Sequence, residues 1–526
     1  MTPNLNTIPY LLSIKLIAWT VGLVLFSNLS IAQDKILQYH SPAEKQQFSN
    51  LHTSKDLFRL ALLAHGTADE ADGYIQQVDL FIQQVGWSDA DHNKPNKKLK
   101  QLFKEVHKSF LRRYEDTANM NDMFKNGTYQ CVSASVLYSY ILESLAIPYQ
   151  IKELPQHVFV IAYPESFNIM IETTDPTRGV FAPNTKGQEQ FLNSLVKNKY
   201  LDQEYIDQVG KEKAFNEFFY GKTNVTFQEL VGILYFNEAI ANLEKTDKAA
   251  CYSAAYKANE LYPAKKHEYL QYLTLGELTV NSRLENLDDW ETSIVLVNTF
   301  DREYPKELLK YKFNTELNHC LFKTDNRAKI DSIYAYLYKS INDTVLTREI
   351  SETYLQESAR SYLMARRSKE AIPLLERALA YSPTSPLIRS MLIDGVIDAH
   401  FKGNPTPQKI KEMDSWAEKY PFIKDNSRVQ LYYLYNDMNT MKRAFDQERY
   451  EQATAYYDTF LDAVKKNAEN RDVYLDQIIY IFQHLGFHYM VNNKKEKARE
   501  VLNDGLALYP DNEKLQLALT QLKTYK

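Results

Sequence analysis

Between residues 351 and 384, large and small side chains alternate in an order that a close-packed helical hairpin satisfies. Leu355 opens the pattern, Ala359 follows one turn later, and Tyr362 supplies the next large side chain. Lys369-Glu370-Ala371 reads as the opening of a second helix. Along it Ala371, Leu375 and Ala378 share one face, and Pro383 ends the unit. Small residues where two helices cross let their backbones approach closely. A hairpin of this kind buries only one face by itself, so it needs stacked neighbours.

Those neighbours are present. The window 479–512 repeats the order with Phe482, Leu485, Gly486, Tyr489, Ala498, Leu502, Gly505 and Pro510. Looser copies lie at 232–265 (Ala239, Cys251, Ala255, Ala258, Pro263) and at 434–467 (Ala453, Tyr457). The pattern resembles the tetratricopeptide (TPR) repeat, whose period is roughly 34 residues. Helical hairpins fill 266–350 and 386–430 as well, without a register that can be fixed. Only 15 Gly and 18 Pro in 526 residues suit long helices. The resemblance implies an all-α solenoid over 196–526 whose concave face takes a protein or peptide partner. A chain of this length makes about three or four domain-sized units, so the array is not the whole protein.

At the other end, Lys15 precedes an uncharged, largely apolar run at 16–26, and Ser30-Ile31-Ala32 supplies small residues at cleavage spacing. This reads as a signal peptide over 1–32 with a mature start near Gln33, hence a periplasmic or secreted protein with no membrane insertion after cleavage. The alternative is an uncleaved N-terminal anchor, since 16–33 carries no charge. No Cys follows the run to take a lipid. The net charge of −5 and the absence of a basic stripe exclude a nucleic-acid partner. The runs at 93–104 and 494–499 are solvated faces and turns.

An exported chain with only Cys131, Cys251 and Cys320 has no disulfide framework, and an odd count leaves at least one thiol unpaired within the monomer. Cys251 stands where the second helix of a repeat wants a small apolar residue. Cys320 lies in a helical stretch, so both are expected to be packing residues. Cys131 is different. Residues 41–120 read as helices, including a periodic run at 99–114, and Asn126-Gly127 breaks the chain shortly before it. An apolar helix at 132–145 follows, ended by Ile147-Pro148. Short β runs then come at 149–151, 157–163 and 169–173. From about 195 the pattern is helical to the end.

A nucleophilic Cys needs a nearby His to take its proton and a third group to orient that His. Cys131 opens a helix, where free N–H groups and the dipole favour a thiolate and an oxyanion. His157 begins a β run. Glu172 and Asp175 end the next one, and adjacent antiparallel strands bring the start of one beside the end of the other. Each residue taken alone is more often core than catalyst. The order of all of them points to a site.

Gly127-x-x-x-Cys131-Val132-Ser133-x-Ser135-x-Leu137-Tyr138, then Leu145-x-Ile147-Pro148, Gln156-His157-Val158-Phe159-Val160 and Ile171-Glu172-Thr173-Thr174 resemble the transglutaminase-like cysteine superfamily. The likeness is closest to its bacterial branch that carries TPR repeats, and it covers about 60–190. It implies a small α+β papain-like domain with N-terminal helices over 41–195, and chemistry through a thioester. It also implies Cys131 as nucleophile, His157 as base and then acid, and Glu172 or Asp175 as the orienting carboxylate. An acid followed two residues later by Thr fits both Glu172…Thr174 and Asp175…Thr177, and counting from the strand prefers Glu172. The usual Trp near the Cys is replaced by Tyr129 and Gln130, which leaves the oxyanion donor unassigned.

The fold class expected is therefore mainly α: a small α+β domain followed by a helical solenoid. The function expected is an exported cysteine hydrolase or acyltransferase acting on peptide or isopeptide amides. The alternative is a catalytically inert scaffold that binds protein partners in the cell envelope. A weaker third idea, resting on export plus repeats, is an accessory to an outer-membrane or polysaccharide-export assembly. No cofactor or metal is called for. His484-x-x-x-His488 has helical metal spacing but lacks the intervening Glu, and reads as packing histidines. Asn126-Gly127-Thr128 and Asn342-Asp343-Thr344 match a glycosylation acceptor too short to carry weight.

Overall fold

An apolar helix cannot stay exposed, and the run that follows Cys131 is apolar on every side. In the computed structural model, which describes residues 35–174, 179–182, 184–197, 199–221 and 223–524, this helix spans Cys131–Ser144, and every residue from 132 to 142 is buried. A helix that is hydrophobic all round belongs at the centre of a domain. It ends in a left-handed cap. Ala146 takes φ 56°, Ile147 N–H bonds the Leu142 carbonyl at 2.9 Å, and Pro148 stops any continuation.

Seven short strands are present among the described residues: β1 (Arg113–Tyr114), β2 (Thr128–Tyr129), β3 (Tyr149–Leu154), β4 (His157–Ala162), β5 (Ile169–Ile171), β6 (Val180–Phe181) and β7 (Thr223–Val225). The last five form one antiparallel sheet in the order β6-β5-β4-β3-β7. Alternation along β4 decides what covers each face. Val158, Val160 and Ala162 join the core of the central helix, with Phe58, Leu62, Leu137, Ile141 and Leu234. Phe159 and Ile161 face the other way, onto Leu192, Ile206, Phe215 and Tyr220. These four come from the helices Thr185–Lys197, Gln203–Val209 and Lys211–Phe219 and from the turn after them.

Two sequence expectations need correction here. The periodic run at 99–114 is not one helix: the helix is Pro95–Ser109, and Phe110 leaves helical geometry (φ −127°) to pack on Phe81 and Phe124. The chain then runs extended, and β1 pairs in parallel with β2, just before Cys131. The stretch after 195 is not wholly helical either. β7 adds an edge strand beside β3, with Ile151 opposite Val225.

By packing, the chain divides into Met1–Leu309 with Lys339–Asn342, and Lys310–Tyr338 with Asp343–Lys526. The first helical hairpin, Phe227–Glu244 and Lys248–Leu261, shares the core of the sheet domain through Phe227, Leu230, Val231 and Leu234. In the second unit, Thr344–Met364 and Ser368–Tyr381 form the hairpin expected at 351–384. Leu355, Ala359, Ala371, Leu375 and Ala378 are all fully buried. The hairpin at 479–512 is Leu475–Val491 with Lys495–Leu508. A Cβ on Gly505 would stand 2.9 Å from Leu515 Cδ1 and 3.0 Å from Phe482 Cγ, so the absent side chain is what allows that crossing. The looser copy at 434–467 has its second helix broken at Tyr456, between Tyr450–Ala455 and Tyr457–Lys466. The described residues are thus mostly helical, with a small five-stranded sheet and a two-stranded pair. The leader expected at 1–32 lies outside the described residues, and no helix among those described is long and apolar enough to cross a membrane.

Candidate active site

Gln130 is extended (φ −124°, ψ 174°), and the helix begins at Cys131. Ser133 Oγ closes the start by accepting from Gln130 N–H at 3.0 Å and donating to its carbonyl at 3.1 Å. The first-turn N–H groups of a helix have no acceptor within it, so at this end those of Cys131 and Val132 have no intrahelical partner. Ser135 Oγ donates to the Val158 carbonyl at 3.3 Å, tying the helix to β4. Cys131 itself is half-buried, whereas Cys251 and Cys320 are fully buried.

His157 is the first residue of β4 and lies opposite Leu154 across a tight turn. β5 pairs antiparallel with β4, Ile171 facing Val160, so one step further Glu172 reaches His157 diagonally. His157 Nε2 and Glu172 Oε2 are 3.0 Å apart. This leaves Nδ1 as the ring nitrogen not engaged by Glu172. The imidazole is raised from its ordinary 6.5 to about 9, first by its hydrogen bond with Cys131 and then by Glu172, against burial. Burial alone would raise the Glu172 carboxyl. Hydrogen bonds from His157 and from the hydroxyl and backbone N–H of Thr174 outweigh it and hold the group at about 2. The two Thr174 contacts to Glu172 Oε1 are 2.6 and 2.9 Å. The carboxylate is therefore fixed from behind by Thr174 and braces the ring, which has Cys131 as its other electrostatic neighbour.

Of the four residues singled out in the sequence, the structure brings together Cys131, His157 and Glu172. Asp175 lies outside the described residues. Several neighbours were missed. Tyr129, fully buried, donates to the Thr173 carbonyl at 2.9 Å and so steadies the turn that carries Glu172. Gln130 is pinned twice: its Nε2 donates to the Ala118 carbonyl at 3.0 Å, and its Oε1 accepts from Asn237 of the first hairpin at 3.3 Å. Tyr114 pairs in register with Tyr129, their ring centroids 5.8 Å apart. Its phenol is pushed up by burial, then by Asp116 and by the nearby Cys131. The Thr174 contact was legible as the acid-x-Thr spacing. The Asn237 contact joins residues with no sequence relation and left no signal.

The other two cysteines are packing residues by environment. Cys251 sits among Ala239, Ala254, Ala255 and Leu270. Cys320 Sγ lies 3.3 Å from Glu316. Burial pushes both thiols up to about 11. His488 stacks on Tyr450 and His484 lies tilted against Tyr480, with centroids 4.1 and 4.0 Å apart. Among the described residues no cluster of three or more His, Cys, Asp or Glu is placed to hold a metal ion. Comparison of the chain with protein-family models, curated proteins and solved structures finds no match.

Proposed function

We propose that this chain is an exported cysteine acyltransferase or hydrolase acting on peptide or isopeptide amides. In this reading a transglutaminase-like core is combined with a TPR-type array that holds a protein partner. The observation that carries the reading is the imidazole of His157, held at Nε2 by Glu172 and raised by Cys131. A His that merely fills a core is not braced by a buried carboxylate on one nitrogen while the other is left for a thiol. The repeat reading is supported by the buried small residues of the hairpins at 351–384 and 479–512. Export rests on the charge and apolar pattern of residues 1–32.

The chemistry follows from the geometry. The thiol proton passes to His157 Nδ1, and Cys131 Sγ bonds to the amide carbonyl carbon, sending the C=O π pair onto oxygen. In this reading the first-turn N–H groups of the Cys131 helix donate to that oxyanion. His157 then gives its proton to the amide nitrogen, the C–N bond breaks, and a thioester remains. Water or an amine attacks next and gives its proton to His157, and the C–S bond breaks to return the thiol. Glu172 stabilises the imidazolium throughout without taking the proton.

The test uses an activated acyl donor, an aryl ester of a short peptide, followed by intact-mass measurement. The wild-type protein is expected to carry the acyl group on Cys131 and to release it faster when a primary amine is added. Cys131→Ser is expected to show neither. A wild-type protein that is never acylated at Cys131 would overturn the enzymatic reading and leave the inert scaffold.

A further inference from the structure

A second cavity lies on the face of β3 turned away from the Cys131 helix. Lys152, in the middle of β3, sits between Phe159 and Asn224 of the flanking strands and is 8% exposed. A lysine so deep ordinarily has a carboxylate partner, because an unpaired buried charge is costly. Lys152 has none among the described residues. Its one hydrogen bond is to a neutral acceptor, the Gly221 carbonyl, at 3.2 Å. Two of its three donors are unspent, and burial lowers its pKa.

The ammonium faces a cavity of about 540 Å³, within the range of small-molecule sites. The wall opposite is the start of the helix Lys211–Phe219, entered through Gly210 at φ 89° with no side-chain cap. Its first N–H groups therefore point outward unsatisfied. Lys213 and Asn216 complete the lining. Asn216 Oδ1 already accepts from Asn168 at 2.9 Å, which leaves its NH₂ as a donor. The acids in the wall are Glu212 and Glu217, and Glu217 is engaged by the Tyr205 hydroxyl. Lys211 is paired with Glu189 at 2.9 Å. What remains is a set of donors from a buried lysine, a surface lysine, an amide and a helix start, against the one carboxylate of Glu212 in the first turn of that helix.

We infer that this cavity binds a phosphoryl group, as free phosphate or as the phosphate of a small ester. The inference does not rest on the acyl-transfer chemistry, since the residues lining this cavity include none of Cys131, His157 and Glu172. A dianion matches the two unpaired ammonium groups, and its several oxygens match donors arriving from different elements.

Thermal unfolding of the full chain is followed against inorganic phosphate, glycerol 3-phosphate, and chloride at matched ionic strength. Phosphate is expected to raise the midpoint saturably while chloride does not. Lys152→Met and Lys213→Gln are each expected to weaken phosphate about tenfold or more. Tighter binding of glycerol 3-phosphate identifies an ester ligand, and equal binding identifies the free ion. Without ligand, Lys152→Met is expected to be at least as stable as wild type, since it removes an unpaired buried charge. If that variant does not fold, Lys213→Gln at the rim decides alone. No saturable shift, or an unchanged phosphate affinity in Lys213→Gln and in any folded Lys152→Met, overturns the inference.

Discussion

Replacing Glu172 by Gln is expected to slow acylation of Cys131 by about 10²-fold or more and to move the titration of His157 down from about 9 toward 6.5. Glutamine keeps the size of the side chain and can still meet His157 Nε2, so the fold should survive. It removes the charge that favours the imidazolium, and its NH₂ group can present the wrong partner to the ring. The effect has a pH signature. His157 is raised in the folded protein, so its contribution to stability is complete below about 6.5 and is lost as pH rises through about 9. Glu172 is depressed, so its contribution is complete above about 4.5 and is lost as pH falls through about 2. The pair thus holds its full strength between about 4.5 and 6.5 and weakens toward either limit. Activity that needs the imidazolium should fall above about 9 in the wild type and at lower pH in Glu172→Gln. NMR titration of the His157 ring in both proteins, beside their pH–rate profiles, checks this. An unmoved His157 pKa would contradict it.

Lys257→Ala is expected to cost about 3–5 kcal/mol of stability, the largest loss foreseen for any single surface-remote polar residue in the sheet domain. Lys257 and Glu44 are 4% and 0% exposed, and their Nζ–Oε1 distance is 2.7 Å. The Tyr235 hydroxyl donates to the same oxygen at 2.8 Å, and the ammonium stands 4.9 and 5.1 Å from the ring centroids of Tyr39 and Tyr235. Glu44 belongs to the helix Pro42–Phe48, while Lys257 and Tyr235 belong to the first hairpin. The pair therefore fastens the N-terminal segment to the hairpin that also reaches Gln130 through Asn237. Removing Lys257 strands Glu44 as a buried carboxylate. It also leaves Glu238, which burial already pushes up to about 7, without the larger of the two cationic contributions that oppose the shift, Lys245 being the other. The double variant Glu44→Gln with Lys257→Met should recover much of the loss, because an apolar side chain beside a neutral amide leaves no stranded charge. Denaturant unfolding of the three variants decides. A single-variant loss under about 1 kcal/mol, the range of exposed pairs, would mean that the pair is not buried as described.

The parts of the site that were legible in the sequence are those whose geometry follows from local rules. Gly127 takes φ 83°, and a Cβ there would stand 2.7 Å from Arg112 Cδ, so the break read at Asn126-Gly127 marks a backbone need. His157 at the start of one strand and Glu172 at the end of the next could be paired on paper, because antiparallel register fixes which ends meet. The small residues of the hairpins were legible for the same reason, helix crossing being a short-range constraint. What escaped depends on neighbours distant in the chain. β1 is two residues without a periodic pattern, and it exists because β2 offers it a partner. β7 carries its β-forming Val225 inside a stretch whose surroundings are helical. The buried charge of Lys152 sat unremarked in a strand rich in polar residues, since only the second helical layer makes it deep. The join of the first hairpin to the sheet domain rests on apolar residues that a repeat pattern would place against another repeat.

The most direct test of the proposed site is site-resolved alkylation by iodoacetamide near neutral pH, with and without His157→Ala. Cys131 should react first, and its rate should fall by about 10²-fold in His157→Ala. Cys251 and Cys320, buried and with thiols pushed up to about 11, should stay unmodified until the protein unfolds. Equal labelling of the three thiols, or a Cys131 rate indifferent to His157, would contradict the site.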